Sequence, residues 1–385
     1  MKIVVPKERR PFERRVSATP DVVKKYVGLG FTVAVEDGAG DTSRYTNASY
    51  QEAGAQIESD LAALYADAGI VLKVQRPLLK GEGEIDELAL IPEGAILISV
   101  LSPYNAPESL AQYADAKVVS MALEFVPRIT RAQSMDVLSS QSNLAGYRAV
   151  LDAAYEYDRG MPMMMTAAGT VAPARVMVLG AGVAGLQAIA TAKRLGAIVS
   201  ATDVRPAAKE QVESLGGKFV MVESDEVKDA ETAGGYAKEM SDDFKRKQAE
   251  LVAETIKKQD IVITTALIPG RKAPVLVTED MVRSMRPGSV VVDLAVEQGG
   301  NCELSKPGEV VDVDGVSIVG HMNVPSRLSS DASALYAKNI LNYISLMVKD
   351  GDSLEVEVPW EDEIIAAATL TRDGNVVHPA FTENS

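Results

Sequence analysis

Gly180, Gly182 and Gly185 stand in the spacing Gly-x-Gly-x-x-Gly directly after Val176-Met177-Val178-Leu179, and Asp203 follows 23 residues past Gly180. A dinucleotide needs this set. Gly180 makes a tight turn, Gly182 lets the backbone approach a pyrophosphate, and Gly185 lets helix and strand pack closely. The helix that opens at Val183 turns its free N–H groups and positive dipole end toward the phosphates. Asp203, with Val204 beside it, ends the next strand, where a carboxylate accepts hydrogen bonds from ribose hydroxyls and repels a 2′-phosphate. NAD is therefore favoured over NADP. Arg205 is the counter-signal, because an arginine can accommodate that phosphate, although it reads equally as a solvated surface charge. Asp203 is the stronger of the two because it sits at the strand end itself.

A second polar cluster runs from Arg128 through Gln133 and Asp136 to Ser139-Ser140-Gln141-Ser142-Asn143. It falls at the expected domain junction, where α/β proteins bind ligands. Ser139 to Asn143 reads as well as the cap of a following helix. Few residues here resemble acid–base catalysts. Metal ligation is not expected, because His321 and His378 are far apart and Cys302 is the only cysteine. That lone cysteine also excludes an internal disulfide and fits a reducing cytosol.

The elements that must position these groups alternate between strand and helix. With 385 residues the chain suggests two domains, and its net charge of −15 argues against a nucleic-acid partner. Lys245-Arg246-Lys247 is a local exception that reads as a solvated helix face. Strands are expected at residues 2–6, 31–36, 70–74 and 95–100, with helices from Thr19-Pro20, around Tyr50 and at 61–66. The second half repeats this plan faintly: Pro92-Glu93-Gly94-Ala95-Ile96-Leu97 resembles Arg286-Pro287-Gly288-Ser289-Val290-Val291. The fold class is therefore α/β, two Rossmann-like doubly wound domains. Helical spacing at 141–155 and 332–347 marks connecting helices. The tail, with an Asp373-Gly374 hairpin signal, returns to the first domain and makes it discontinuous. The expected boundaries are 1–141 with 327–385, and 142–326. Val176 to Ala192 carries no charge for 17 residues, but glycines in nucleotide spacing break it, so no membrane insertion is expected.

Residues 223–259 form an insertion in which Gly234-Gly235-Tyr236 precedes a charged helix. It reads either as a surface loop or as a lid that closes Tyr236 over bound nucleotide. Met161 and Met163-Met164-Met165 read as gap-filling core.

Several motifs together resemble the NAD(H)-binding component of the proton-translocating nicotinamide nucleotide transhydrogenases. They are Arg131-Ala132-Gln133-Ser134-Met135-Asp136, the run at 139–148, Thr166-Ala167-Ala168-Gly169-Thr170, Ala233-Gly234-Gly235-Tyr236-Ala237, the run at 264–270 and Asp293-Leu294-Ala295-Val296-Glu297. The resemblance covers nearly the whole chain and fits the form in which the alpha subunit is split. It implies hydride exchange between NAD(H) bound here and NADP(H) bound on a domain of the beta subunit. It further implies coupling to proton movement through membrane-embedded subunits, among them the second piece of the split alpha subunit. Arg128, Gln133 and Asp136 are then implied to position the nicotinamide, with Ser139 near the ring. Tyr236 is then the mobile loop tyrosine, and Gly235, Gln248 and Leu267 contact the nucleotide. A homodimer, peripheral on the cytoplasmic face of the plasma membrane, is also implied.

Alanine dehydrogenase shares this plan and is the alternative. Arg15 matches that family's substrate-carboxylate arginine. Its catalytic lysine is replaced by Gln75, however, and its histidine, expected near Ser102, is missing, whereas oxidative deamination needs a proton acceptor. A non-enzymatic NAD-sensing module is the other alternative.

Overall fold

The computed structural model describes residues 1–205, 207–222, 241–268, 270–349 and 353–382. The chain divides into two compact units, Met1–Gln141 with Ser326–Ser385, and Ser142–Pro325. The division falls inside the Val137–Glu156 helix.

The first unit is built on an eight-stranded sheet. From edge to edge it runs Asn375–Val376, Thr369–Arg372, Val119–Ala122, Ile96–Val100, Ala68–Gln75, Lys2–Val5, Thr32–Glu36 and Gln56–Glu58. Taken in chain order, its six parallel strands lie 3-2-1-4-5-6, the doubly wound order. The central strands are unbroken apolar runs because helices cover both faces: Ile3, Val4, Ile70, Val71, Leu97 and Ile98 are all fully buried. The Pro20–Gly28 helix starts as expected, with Thr19 at the N-cap and Pro20 in its first turn, and it buries Val22, Val23 and Tyr26. The Ser329–Ile344 helix adds Tyr336, Ile340 and Ile344 to the same core. In the tail, the apolar run begins as a helix, Glu363–Ala368, before Thr369–Arg372 pairs antiparallel with Val119–Ala122. Asp373 and Gly374 both take positive φ and close the expected hairpin.

The second unit carries a seven-stranded sheet in the order Lys218–Phe219, Ile198–Thr202, Arg175–Leu179, Ile261–Thr264, Val290–Asp293, Val316–Val319 and Val310–Val313. Six of these strands are parallel and, taken in chain order, repeat the 3-2-1-4-5-6 order, while Val310–Val313 is the antiparallel edge. Lys257 and Lys258 follow the charged Asp242–Ile256 helix, on which Arg246 pairs with Asp243 and Glu250.

The methionine run departs from expectation. Met161 is buried, but Met163, Met164 and Met165 are exposed, the last two on a two-stranded ribbon, Met164–Thr166 with Gly169–Val171. A ribbon with no third strand presents no sheet face to a core, so apolar composition alone did not bury it. Among the described residues, no helix is long and apolar enough to cross a membrane, and no cluster of three His, Cys, Asp or Glu could hold a metal.

Candidate nucleotide-binding site

In a doubly wound sheet the crevice opens where strand order reverses, outside the carboxyl ends of the strands. In the second unit this point lies between Arg175–Leu179 and Ile261–Thr264. Gly180 follows the first of these strands at φ +103°, and a Cβ there would stand 2.6 Å from Thr265 Oγ1. Gly185 is more constrained, since a Cβ would meet the carbonyl oxygen of Gly180 at 1.8 Å. Gly182 differs from both. A Cβ on it would meet nothing within 4 Å, so no packing demand within the protein explains a glycine there. Gly182 is the N-cap of the Val183–Arg194 helix and offers no side-chain oxygen to the first-turn amides. Clear space in front of unsatisfied amides fits a dinucleotide pyrophosphate.

Asp203 sits at the end of the neighbouring strand with a nearly buried carboxylate. One oxygen accepts from the Ala181 amide at 2.7 Å, which ties the acid to the glycine turn. The other accepts from the Arg205 amide at 2.8 Å and from Arg205 Nε at 2.9 Å. Burial acts to raise the Asp203 carboxyl, but the guanidinium and the two amides outweigh it and hold the group below the usual range. Arg205 is thus the ion-pair partner of Asp203 and not a free surface charge.

Gln248 reaches the same region from the Asp242–Ile256 helix. Its Nε2 donates to Thr202 Oγ1 at 3.0 Å and its Oε1 accepts from the Val222 amide at 2.8 Å, so its amide braces the strand ends. Val183, Val204 and Leu267 are exposed apolar side chains that follow three adjacent strands of the sheet. Sequence reading missed Thr265, whose Oγ1 donates to the Gly180 carbonyl at 3.0 Å, and Asn301, whose fully buried amide clasps both backbone groups of Ala266 at 2.9 Å. Together they fix the far wall of the crevice. The signal for Asn301 was Gly299-Gly300, two positive-φ residues that return the chain toward that wall. Gly235 and Tyr236 lie outside the described residues.

Arg128, Gln133, Asp136 and Ser139 belong to the first unit. The Thr130–Met135 turn buries Ala132 and Met135, which leaves Gln133 exposed between them. Asp136 accepts from the Ser139 amide at 2.8 Å and from Ser139 Oγ at 2.6 Å, so this carboxylate caps the Val137–Glu156 helix. Arg128 and Gln133 are exposed and have no side-chain hydrogen bond among the described residues.

Residues 4–145 match the alanine dehydrogenase/PNT N-terminal domain and residues 149–379 the alanine dehydrogenase/PNT C-terminal domain. The chain is 59% identical to the first part of the NAD(P) transhydrogenase alpha subunit of Rhodospirillum rubrum, over 99% of each chain. The chain belongs to the alanine dehydrogenase/PNT family, on its transhydrogenase side. A solved transhydrogenase structure from Sinorhizobium meliloti, 53% identical, superimposes with a TM-score of 0.88 over 98% of this chain and 100% of that one. Alanine dehydrogenase of Halomonas elongata is more distant, at 31% identity over 100% of this chain and 96% of that one.

Both arms of the alanine dehydrogenase/PNT family bear on the first unit's own switch point, between Lys2–Val5 and Ala68–Gln75. Arg15 is buried there with its fork already filled. Nε and Nη2 donate to the two oxygens of Glu13 at 2.8 and 2.7 Å, and Nη1 donates to Gln141 at 2.8 Å. Gln75 donates to Glu13 at 2.7 Å. Beside them Lys73 Nζ lies 3.0 Å from Glu87 and 3.5 Å from Glu8, with all three side chains buried. An internal carboxylate thus occupies the Arg15 guanidinium.

Proposed function

We propose that this chain binds NAD(H) in the crevice of its second unit and presents the nicotinamide for direct hydride exchange with NADP(H) held by a separate subunit. The observation that carries this reading is the open Gly180–Gly185 turn tied through the Ala181 amide to Asp203. The family assignment supports it. When bound, the nicotinamide supplies or accepts the hydride at its own C4.

The chain's residues then do three things. The helix opening at Val183 holds the pyrophosphate with its amides, and Asp203 turns its carboxylate to the ribose hydroxyls. Val204, Arg205, Gln248 and Leu267 border the adenosine half. Arg128, Gln133, Asp136 and Ser139 orient the nicotinamide, with Gly235 and Tyr236 closing over the nucleotide. Hydride transfer between two rings releases no substrate proton, so alignment at about 3–3.5 Å and exclusion of water outweigh acid–base chemistry. An amide, a guanidinium and a carboxylate suit that work.

The partners in this reading are an NADP(H)-binding domain of the beta subunit, the membrane-embedded second piece of the alpha subunit, which carries the proton path, and a second copy of this chain in a homodimer. The assembly lies on the inner face of the plasma membrane. The Glu13–Arg15 lock weighs against amino-acid dehydrogenation, because a substrate carboxylate would have to displace a buried internal one.

The test is reduction of an NAD analogue by NADPH in a mixture of this chain with the NADP(H)-binding domain. Hydride exchange is expected only in the mixture. Gln133→Asn should slow exchange by roughly tenfold or more, the scale of a lost positioning contact, while NADH affinity changes little. Unchanged turnover in that variant removes Gln133 from the site, and NAD-dependent alanine oxidation by the chain alone overturns the whole reading.

A further inference from the structure

The opposite end of the second unit's sheet holds a cavity that the hydride reading does not use. It has a volume of about 480 Å³ and lies at the amino ends of the Arg175–Leu179, Ile261–Thr264 and Val290–Asp293 strands. Its charged lining is Arg159, Arg175, Lys257, Lys258 and Arg286 against the single carboxylate of Asp260. The chain as a whole has 54 acidic and 39 basic residues, so a five-to-one excess of cations around one cavity runs against its composition.

Asp260 does not neutralise that excess. It is buried, one oxygen accepts from the Arg175 amide at 2.8 Å, and the other accepts from Arg286 Nη2 at 3.0 Å. Lys257 is paired with Glu254. Arg159 and the Arg175 guanidinium have no carboxylate partner among the described residues, Lys258 has only the electrostatic pull of exposed Glu254, and all three cations are exposed. Lysines at a helix end complement the helix dipole, which explains Lys257 and Lys258. It does not explain Arg159 and Arg175, which come from the segment after the connecting helix and from a strand start; Arg286, from a loop, is the partner of Asp260. Like charges gathered in a concavity repel one another unless an anion sits between them.

We propose that this cavity binds a small phosphorylated compound with two or more adjacent negative charges, of the pyrophosphate or nucleoside diphosphate class. The volume is that of a small-molecule site, and guanidinium groups match phosphate oxygens two at a time. An acidic polypeptide would call for cations spread along an extended groove, whereas these five cluster around one concavity. The inference stands independently of the hydride reading, since none of these residues belongs to the nucleotide crevice.

The test is calorimetric titration of the full chain with inorganic pyrophosphate, alone and with NADH at saturation, for the native sequence and for Arg159→Glu/Lys258→Glu. A single pyrophosphate should bind in both conditions and weaken as salt rises. The double variant should lose roughly tenfold or more in affinity, the scale of a charge-assisted hydrogen bond, with NADH binding and melting temperature unchanged. Three results overturn the proposal: no binding to the native chain, equal binding to the variant, or binding that NADH abolishes, which would place the anion on the glycine turn. Binding of poly-glutamate without pyrophosphate would instead make the cavity a contact for an acidic protein.

Discussion

The two switch-point crevices are products of the same strand order and have opposite contents. In the second unit the loop after the first strand is Gly180-Ala181-Gly182, and it leaves space in front of a helix N-terminus. In the first unit the equivalent loop carries Glu8, Arg9 and Glu13, which reach in to meet Arg15, Lys73 and Glu87. Topology makes a crevice at a fixed place. Whether it is open depends on side-chain volume there, and whether it can stay closed depends on how completely its charges are paired. Every buried ion costs several kcal/mol to desolvate, so a crevice filled with charge is stable only when each group has its partner.

That dependence gives the largest expected effect. Glu13→Ala strips Arg15 of the carboxylate that takes both Nε and Nη2, leaving a buried guanidinium whose bond to Gln141 is to a neutral amide. Breaking such a pair from one side should cost about 3–5 kcal/mol, read as a lower urea midpoint. Added formate should restore part of the loss by filling the vacated place. A midpoint within ~0.5 kcal/mol of the native value would show that the first crevice is held by packing and not by its ion pairs.

Next in size is a pH effect confined to the first crevice. Glu8 is buried against Lys73, with Glu13 and Glu87 nearby. One of its oxygens accepts from the Val74 amide at 2.6 Å, and the other has no hydrogen-bond partner. Burial, only partly offset by Lys73, pushes its carboxyl up to about 7. Below about pH 4.5 folded and unfolded chains both hold this proton, and between there and about 7 only the folded chain does. Stability contributed by this group is therefore complete at the acid end of the window and declines as pH rises through it, by at most roughly 3 kcal/mol. Glu8→Gln should flatten that slope in urea titrations at successive pH values. An unchanged slope would assign it to other groups.

The second crevice should respond in binding and not in stability. Gly182→Ala places its Cβ where nothing lies within 4 Å, so the fold should tolerate it. The same side chain would occupy the space assigned to the pyrophosphate, and NADH affinity, followed by its fluorescence, should fall by at least about tenfold. Equal NADH binding would place the nucleotide elsewhere.

How far this contrast was legible in sequence depends on range. The glycine turn, Asp203 and the alternating elements are local patterns, and the parallel sheets and the hairpin at Asp373-Gly374 followed from them. The ion pairs and hydrogen bonds of the first crevice join residues as far apart as Arg15 and Gln141, so no spacing announces them. Asp136 and Ser139 were readable two ways because one carboxylate can cap a helix and also face a ring; the cap is what the fold uses. Met163 to Met165 show a different limit. Composition says that methionine prefers a core, but it does not say whether a two-stranded ribbon has a core to meet. Asp203 was read from its spacing after Gly180 and its strand-end position, and its bond to the Ala181 amide gives that position a second purpose, holding the turn in register with the acid.

The smallest effect concerns the one ion pair that the open crevice does contain among the described residues. Arg205 lies partly in solvent and engages both oxygens of Asp203, at 2.9 and 3.1 Å, so it competes for the carboxylate that the ribose hydroxyls need. A pair of that exposure is worth about 1 kcal/mol or less. Arg205→Ala should therefore lower the urea midpoint only slightly, while the Ala181 amide keeps Asp203 in place. If the guanidinium must leave before ribose can bind, NADH affinity should rise by a few-fold and the gain should shrink at high salt, where the pair is already screened. If the guanidinium stays and itself contacts the nucleotide, affinity should fall instead. The sign of this one change therefore decides whether Arg205 covers the empty crevice or belongs to the filled one, a distinction that the charge-filled crevice of the first unit does not pose.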